Sequence, residues 1–330
     1  MSIPRLTSQH DLLRYYHDQG HLQILDWRRL PNENVFVDYT DIETIGQAFD
    51  AIAMLPQAPT ACIAGYALAM VARAWQQRPS EPRRAAIIQA AAQLRMIAPP
   101  DTHQLLEQAL TQADTAITHG QNAETAIVEF IDEKIRQSDK IAERCGRRAA
   151  ELLDDGDNIL THGFGGTALN WILHIAHNTQ NKQITLYTTE AQPYGHGTYL
   201  MLPVAQAMDI KTELLKDDAV DEFLSQTTIH FCILAAQQIA LDGSIAASAG
   251  ASQITALARQ HNVPCYVLGY GGPDPDMQTS TVEEDRQALF DMIPAERISA
   301  IITDRGTYRP AMISRYLNDG DAPLDVIPLQ

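Results

Sequence analysis

The second half of the chain alternates short β-rich runs with helical patterns, and this alternation constrains the fold more than any other feature. The β-rich runs occupy residues 158–161, 183–189, 211–215, 229–236, 263–270 and 298–303. Helical patterns separate the first five runs. This order predicts right-handed βαβ units in a parallel, doubly wound sheet. Ligands bind such sheets outside the carboxyl ends of the strands, so polar residues at those ends are candidate site residues.

The first half is mainly helical in pattern. Residues 21–27 and 34–39 alternate apolar and polar side chains and predict a β-hairpin, preceded by a loose helical lead-in over the first 20 residues. Thr40 and Glu43 predict a capping box at a helix start. The apolar run 60–75 predicts a buried helix.

A long helical pattern from about Ala123 to Leu153 joins the two halves, and Gly156 follows it as a natural stop. The predicted fold class is therefore α/β. A mainly helical N-terminal domain with a small β-hairpin covers residues 1–125. A Rossmann-like, parallel-sheet domain reached through the long helix covers residues 126–330.

Composition excludes several classes of protein. The formal net charge of −17 opposes binding to a nucleic-acid backbone, which needs clustered Lys and Arg. The first 20 residues lack the apolar core of a signal peptide, and no apolar run approaches the roughly 20 residues that span a bilayer. The four cysteines are scattered, as expected of reduced thiols. We expect a soluble, cytoplasmic protein that binds neither nucleic acid nor membrane.

The segment LTHGFGGTALN (160–170) is the most suggestive short stretch. Gly163, Gly165 and Ala168 satisfy a relaxed dinucleotide-binding fingerprint, and Glu190 ends the second predicted strand where such folds hold ribose. The alanine in the third position and Phe164 inside the turn weaken that hypothesis. The alternative is a tight strand-to-helix turn that needs glycine for its geometry alone.

Several polar residues follow the predicted strands and converge on one edge of the sheet. We interpret this edge as a pocket for a neutral or cationic small molecule, with His162, Asp217 and Glu190 as candidate acid–base groups. The candidate ligand-binding residues are Gly163, Phe164, Gly165, Gly166, Thr189, His196, Gln237 and Gln238. In the alternative interpretation Glu190 and Asp217 only cap helices and orient loops.

No metal or cofactor is predicted. His174 and His177 lie three residues apart on one predicted helix, but no third ligand accompanies them. The PDPD sequence (273–276) could bind a hard cation, although an acidic, solvated turn is the preferred interpretation.

Read in order, several segments resemble one family, that of methylthioribose-1-phosphate isomerase and the regulatory subunits of translation initiation factor 2B. The similar segments are 24–52, 57–72, 156–176, 186–193, 231–268 and 298–310, and Asp217 falls where the family keeps an aspartate. TEAQP (189–193) and IITDRGTYRP (301–310) are the most specific of them. The resemblance implies the two-domain fold predicted above and a homodimer that pairs through the sheet domain.

The departures from this family bear on function. The resemblance implies an isomerase that uses a cysteine after the first strand and an aspartate after the fourth. The cysteine's place falls at or near Gly163, the aspartate's place holds Gln237, and Gln238 replaces the arginine that follows it in the family. Neither a glycine nor an amide acts as acid, base or nucleophile near neutral pH. The family's phosphate-binding motifs also differ: they correspond to PQAP (56–59), Ala98–Pro100, Gln192 and Ala247–Ser248.

The sequence therefore predicts a diverged family member that keeps the fold and a small-molecule pocket, and that acts by binding a ligand or a partner protein. Two alternatives stay open. One is an aldose–ketose isomerase, or another enzyme, with a rebuilt site; the other is a nicotinamide-dependent oxidoreductase.

Overall fold

The computed structural model describes residues 3–52, 55, 58–275, 277 and 290–318. The chain falls into two compact units. The helical unit comprises Ser8–Trp27 and Asn34–Ser138, and the sheet unit comprises Met1–Thr7, Arg28–Glu33 and Asp139–Gln330. The division lies inside a helix, between Ser138 and Asp139. The boundary that the sequence predicts at residues 125 and 126 stays a prediction.

The helical unit contains a three-stranded antiparallel sheet. Its strands are β1 (Leu13–Tyr16), β2 (His21–Leu25) and β3 (Phe36–Tyr39), in the order β1-β2-β3. The expected hairpin is confirmed as β2 and β3. The predicted helical lead-in is wrong, because the LRYY segment pairs with β2 from Leu13↔Ile24 to Tyr16↔His21. Pairing with a distant partner overrides the weak local preference of this segment.

After these strands the structure describes the α-helices α1 (Ile42–Ile52), α2 (Thr60–Ala74), α3 (Ser80–Ile97) and α4 (His103–Thr118), followed by α5 (Ala123–Glu151), which contains the division between the units. Helix α2 is buried along most of its length, as its all-round apolar pattern predicts. The predicted cap at Thr40 is displaced by one residue. Asp41 Oδ1 accepts the amide hydrogen of Thr44 at 2.8 Å, and this bond lowers the pKa of the Asp41 carboxyl.

All six predicted strands of the sheet unit are present. They are β4 (Asn158–His162), β5 (Thr185–Thr189), β6 (Lys211–Leu215), β7 (Phe231–Ala235), β10 (Cys265–Gly269) and β12 (Ala300–Thr303). These six are parallel and lie in the order β12-β10-β7-β4-β5-β6, with the short antiparallel strand β13 (Thr307–Tyr308) added beside β12. The parallel, doubly wound sheet is confirmed.

Helices of the sheet unit lie between the strands. They are α6 (Gly166–Leu173), α7 (Leu202–Ala207), α8 (Val220–Gln226) and α9 (Ala251–Gln260). The sequence did not predict a second, small antiparallel sheet of β8 (Gln238–Ile239), β9 (Ile245–Ser248) and β11 (Phe290–Ile293), in the order β11-β9-β8. In the part of the chain that the structure describes, no helix is long and apolar enough to cross a membrane.

The strand order fixes where a ligand can bind. The chain enters the sheet at β4, winds outward through β5 and β6, and then returns to β7 on the other side of β4. The direction of winding therefore reverses between β4 and β7. In open α/β sheets the crevice at such a switch point, outside the carboxyl ends of the strands, is the usual binding site.

Candidate functional site

The turn after β4 lies at this switch point and contains the glycines of the HGFGG segment. Gly163 has φ +59°, and a Cβ atom added to it would lie 2.7 Å from the Cβ of Ala191. The hydroxyl of Thr188 donates to the carbonyl oxygen of Gly163 at 3.1 Å. Position 163 thus combines a left-handed backbone with a neighbour that cannot rotate away, and only glycine fits it without displacement.

His162 is the last residue of β4 and is 5% exposed. Its Nε2 lies 2.7 Å from the carbonyl oxygen of Ala249, which can only accept, so Nε2 carries a hydrogen. Its Nδ1 lies 2.6 Å from the Thr189 hydroxyl. In the neutral ring Nδ1 accepts from that hydroxyl. Both ring nitrogens are therefore bonded within the chain, which leaves neither of them available to exchange a proton with a ligand in this arrangement.

Burial keeps two neighbouring histidines uncharged. It lowers the pKa of His162. The hydrogen bond to the Ala249 carbonyl and the carboxylates of Asp217 and Asp291 oppose that shift without overcoming it. His196 is 4% exposed, and burial, followed by repulsion from His162, lowers its pKa to about 4. The ring of His196 also stacks on that of Tyr194, with centroids 5.7 Å apart. Both imidazoles are neutral near pH 7.

Asp217 holds the TEAQP segment in place. Its Oδ1 accepts the amide hydrogen of Ala191 at 2.9 Å, and its Oδ2 accepts that of Gln192 at 2.8 Å. Ala191 has φ +58°, an uncommon conformation for a residue with a side chain, and the Asp217 carboxylate stabilises it. This geometry matches the loop-orienting interpretation of Asp217.

Glu190 follows β5 and has a different environment. Its amide donates to the carbonyl oxygen of Leu215 at 2.9 Å, and its own carbonyl oxygen accepts the amide hydrogen of Gly197 at 3.1 Å. The residue is half-buried, and its carboxylate makes no hydrogen bond or ion pair with any described part of the chain. Of the three candidate acid–base groups, it is the one whose side-chain polar atoms make no hydrogen bond to the part of the chain that the structure describes.

The two glutamines lie on the other side of the switch point. Gln237 follows β7 and its amide donates to the carbonyl oxygen of Ala246 at 2.8 Å, whereas Gln238 begins β8 and is exposed. The structure thus brings His162, Thr189 and Asp217 together at one edge, and Gln237 lies just after the neighbouring strand β7. Phe164, in the turn after β4, is 4% exposed.

Two groups at this edge escaped sequence reasoning. The Tyr270 hydroxyl, from the loop after β10, accepts the amide hydrogen of Ala168 in the first turn of α6. Asp291 Oδ2, from β11, accepts the amide hydrogens of Gly250 and Ser252 at the start of α9, each at 2.9 Å. The position of Tyr270 directly after a strand was the available signal. Asp291 offered none, because its strand was not predicted.

The remaining sequence candidates lie elsewhere. His174 Nδ1 is 3.1 Å from Asn178 Oδ1, and His177 Nδ1 is 3.3 Å from the carbonyl oxygen of Lys182. Among the described residues no three His, Cys, Asp or Glu side chains are grouped as metal ligands. Asp276 of the PDPD sequence lies outside the described residues, as do Pro56 and Gln57 of PQAP. Gln192 is exposed and Ala98 is buried.

Comparison with known proteins gives the same family by two routes. Residues 56–269 match the model of the initiation factor 2 subunit family. The chain is 26% identical over 325 residues to methylthioribose-1-phosphate isomerase of Syntrophotalea carbinolica, covering 88% of this chain and 94% of that protein. It is 28% identical over 339 residues to the enzyme of the same name from Gemmatimonas aurantiaca, covering 94% and 97%.

Solved structures share the fold. The crystal structure of 5-methylthioribose 1-phosphate isomerase from Pyrococcus horikoshii is similar with a TM-score of 0.80 and 20% identity, over 93% of this chain and 94% of that one. Subunit delta of translation initiation factor eIF-2B from A. fulgidus is similar with a TM-score of 0.78 and 20% identity, over 91% and 96%.

Proposed function

The chain belongs to the initiation factor 2 subunit family, and from that premise we propose that it binds a small molecule at the switch point between β4 and β7. We propose further that it does so without the cysteine- and aspartate-dependent chemistry that the resemblance to methylthioribose-1-phosphate isomerases implies. It would act as a ligand-binding or regulatory protein on an isomerase fold.

The environment of Gly163 carries this proposal. The resemblance places the isomerase cysteine at or near this position. A side chain there meets the Cβ of Ala191 at 2.7 Å on a backbone with φ +59°. Because the Asp217 carboxylate holds the Ala191 amide, Ala191 cannot withdraw without breaking that bond. A side chain at position 163 would therefore be strained, which supports the proposed absence of the cysteine chemistry.

The residues around Gly163 support the same proposal. Gln237 stands where the resemblance places the isomerase aspartate, and a carboxamide does not exchange protons near neutral pH. Both ring nitrogens of His162 are hydrogen-bonded, one to the Thr189 hydroxyl and the other to the Ala249 carbonyl oxygen. Within the proposal His162 and Asp217 are positioning residues, and Glu190 contacts the ligand through its unbonded carboxylate.

Native mass spectrometry of the purified protein tests ligand binding. We expect a small molecule bound to the wild-type chain and its loss, or binding about tenfold weaker, in Glu190→Gln, because one charge-assisted hydrogen bond is removed. Asp218→Asn is the matched control, since Asp218 is an exposed carboxylate in the turn after β6. Equal retention by wild type and Glu190→Gln would contradict the role of Glu190. A wild-type chain that binds no small molecule would contradict the proposal itself.

A second candidate is an isomerase with a rebuilt site that acts on methylthioribose 1-phosphate or a similar sugar phosphate. The observation that favours it is the length of the similarity, since relatives with that activity in their name align over as much as 94% of this chain. In that case Glu190 and Asp217 would be the groups to carry proton transfer, and measured turnover distinguishes the two candidates. The homodimer and the cytoplasmic location that the sequence predicts stay predictions.

A further inference from the structure

Helix α6 begins at the switch point without a side-chain cap of its own. Its N-cap residue is Gly165, which has no side-chain oxygen to accept the amide hydrogens of the first turn. A helix that starts in this way at the crevice of an α/β sheet commonly presents its amides to an anionic ligand, most often a phosphate. The question is what occupies that position in this chain.

The occupant is the hydroxyl of Tyr270. It accepts the amide hydrogen of Ala168, the third residue of α6, and lies 3.5 Å from the hydroxyl of Thr167. Tyr270 reaches this place from the loop after β10, two strands away from β4. The Tyr270 hydroxyl is a neutral phenol near pH 7, because burial raises its pKa further above the ordinary tyrosine value. A phosphate oxygen could bond to the Ala168 amide only by displacing the phenol.

Two further sets of backbone amides at the same edge are also occupied by oxygens of this chain. The Asp217 carboxylate accepts the amide hydrogens of Ala191 and Gln192, and the Asp291 carboxylate accepts those of Gly250 and Ser252. An incoming dianion would meet two negative carboxylates instead of open amides, and repulsion between like charges opposes its binding.

We propose that Tyr270 is a specificity-determining residue, which excludes phosphate from the first turn of α6 and restricts this site to ligands that carry no phosphate there. This inference rests on the proposed small-molecule site and names its ligand class. It also separates this chain from dinucleotide-binding proteins of the same strand order, in which that helix start receives a pyrophosphate.

Titration with inorganic phosphate, at ionic strength held constant with chloride, tests the inference. Tyr270→Leu keeps apolar volume while withdrawing the hydroxyl, and Tyr270→Ala opens more space. We expect no saturable phosphate binding by the wild type, and phosphate binding by the variants at least about tenfold tighter than by the wild type, the effect of one charge-assisted hydrogen bond. Tyr266→Leu, a change of the same size on strand β10 away from any helix amide, is the control.

Calorimetry gives the affinity, and circular dichroism shows which variants are folded; if Tyr270→Ala unfolds, Tyr270→Leu decides. Phosphate binding by the wild type as tight as by Tyr270→Leu would overturn the inference. The inference would also be overturned if Tyr270→Leu is folded and its affinity for phosphate increases no more than that of Tyr266→Leu. These outcomes are distinct from failure of the proposed function, which is read from turnover and from bound small molecules, never from phosphate affinity.

Discussion

The hydroxyl of Thr189 and Nδ1 of His162 lie 2.6 Å apart and join the carboxyl ends of β5 and β4. The bond fixes the imidazole with its hydrogen on Nε2, which then donates to Ala249 at the approach to α9. One buried hydrogen-bonded chain thus links two strands and a loop at the switch point. Its members set the shape of the edge at which a ligand would bind.

Removing the Thr189 hydroxyl is expected to destabilise the protein. In Thr189→Val the buried Nδ1 of His162 loses its donor, and the free energy of unfolding should fall by about 1–3 kcal/mol. Thr189→Ser retains the hydroxyl, so its free energy of unfolding should fall less than that of Thr189→Val. Urea denaturation measures both. Equal stability of wild type and Thr189→Val would contradict the assigned bond.

Acidification should weaken the fold through the buried histidines. A depressed folded pKa means that the unfolded chain binds a proton first, so stability is full above the ordinary histidine pKa of 6.5 and is lost as the pH falls towards the folded pKa of about 4 for His196. His196 alone should contribute a loss on the order of 3 kcal/mol over this range.

The variant His196→Gln isolates this contribution, because a glutamine does not titrate. The free energy of unfolding, measured by denaturant at a series of pH values, should fall less steeply below pH 6.5 in His196→Gln than in the wild type. Carboxylates elsewhere contribute equally to both proteins and cancel in the difference. Parallel profiles for the two proteins would show that His196 is not held neutral by burial.

The Asp217 carboxylate should matter for stability independently of any chemistry. In Asp217→Asn the amide group cannot accept both backbone hydrogens, because one of its two polar atoms is a donor. We expect a loss of about 1–3 kcal/mol and faster proteolysis of the segment around Ala191, whose φ of +58° this carboxylate stabilises. Asp218→Asn, at the exposed neighbouring position, should change stability by less than about 0.5 kcal/mol. Similar losses for the two variants would argue against the assigned contacts.

Sequence alone could give the architecture of the sheet unit, because its six parallel strands are short β-rich runs and helical patterns separate the first five of them. The edge strand β1 was missed, since LRYY is short and becomes a strand only through its pairing with β2. Strands β8, β9 and β11 were missed for the same reason. Local pattern carries too little information where a distant partner decides the structure.

The candidate site was also predictable from the sequence only in part. The positions of His162, Glu190 and Asp217 at strand ends followed from the pattern and from the family resemblance. The other groups at this edge did not follow, because they come from distant parts of the chain. Ala249 bonds to His162, whereas Tyr270 and Asp291 accept backbone amide hydrogens at the starts of α6 and α9. Both ring nitrogens of His162 are hydrogen-bonded to groups that the fold brings close, and local sequence does not reveal these bonds. These bonds change the interpretation of that residue from a proton carrier to a positioning group.

Adding a side chain at Gly163 tests how tightly the turn is built. Gly163→Ala should lower the free energy of unfolding by about 2 kcal/mol or more, through its left-handed backbone and its contact with Ala191. Gly156→Ala is the matched control, since Gly156 has φ +89° and nothing within 4 Å of an added Cβ atom. The excess loss in Gly163→Ala over Gly156→Ala, measured by urea denaturation, reports the contact. If Gly163→Ala loses no more stability than Gly156→Ala, contact with Ala191 does not exclude a Cβ atom at position 163.

The most direct measurement is turnover of methylthioribose 1-phosphate by the purified wild-type chain, assayed beside the isomerase of Syntrophotalea carbinolica under identical conditions. With glycine at 163 and glutamine at 237, this chain should form no ketose 1-phosphate above the rate without protein, while the relative converts its substrate. Formation of the ketose at a rate comparable to the relative's, and its loss in Glu190→Gln, would contradict the account and establish an isomerase with a rebuilt site.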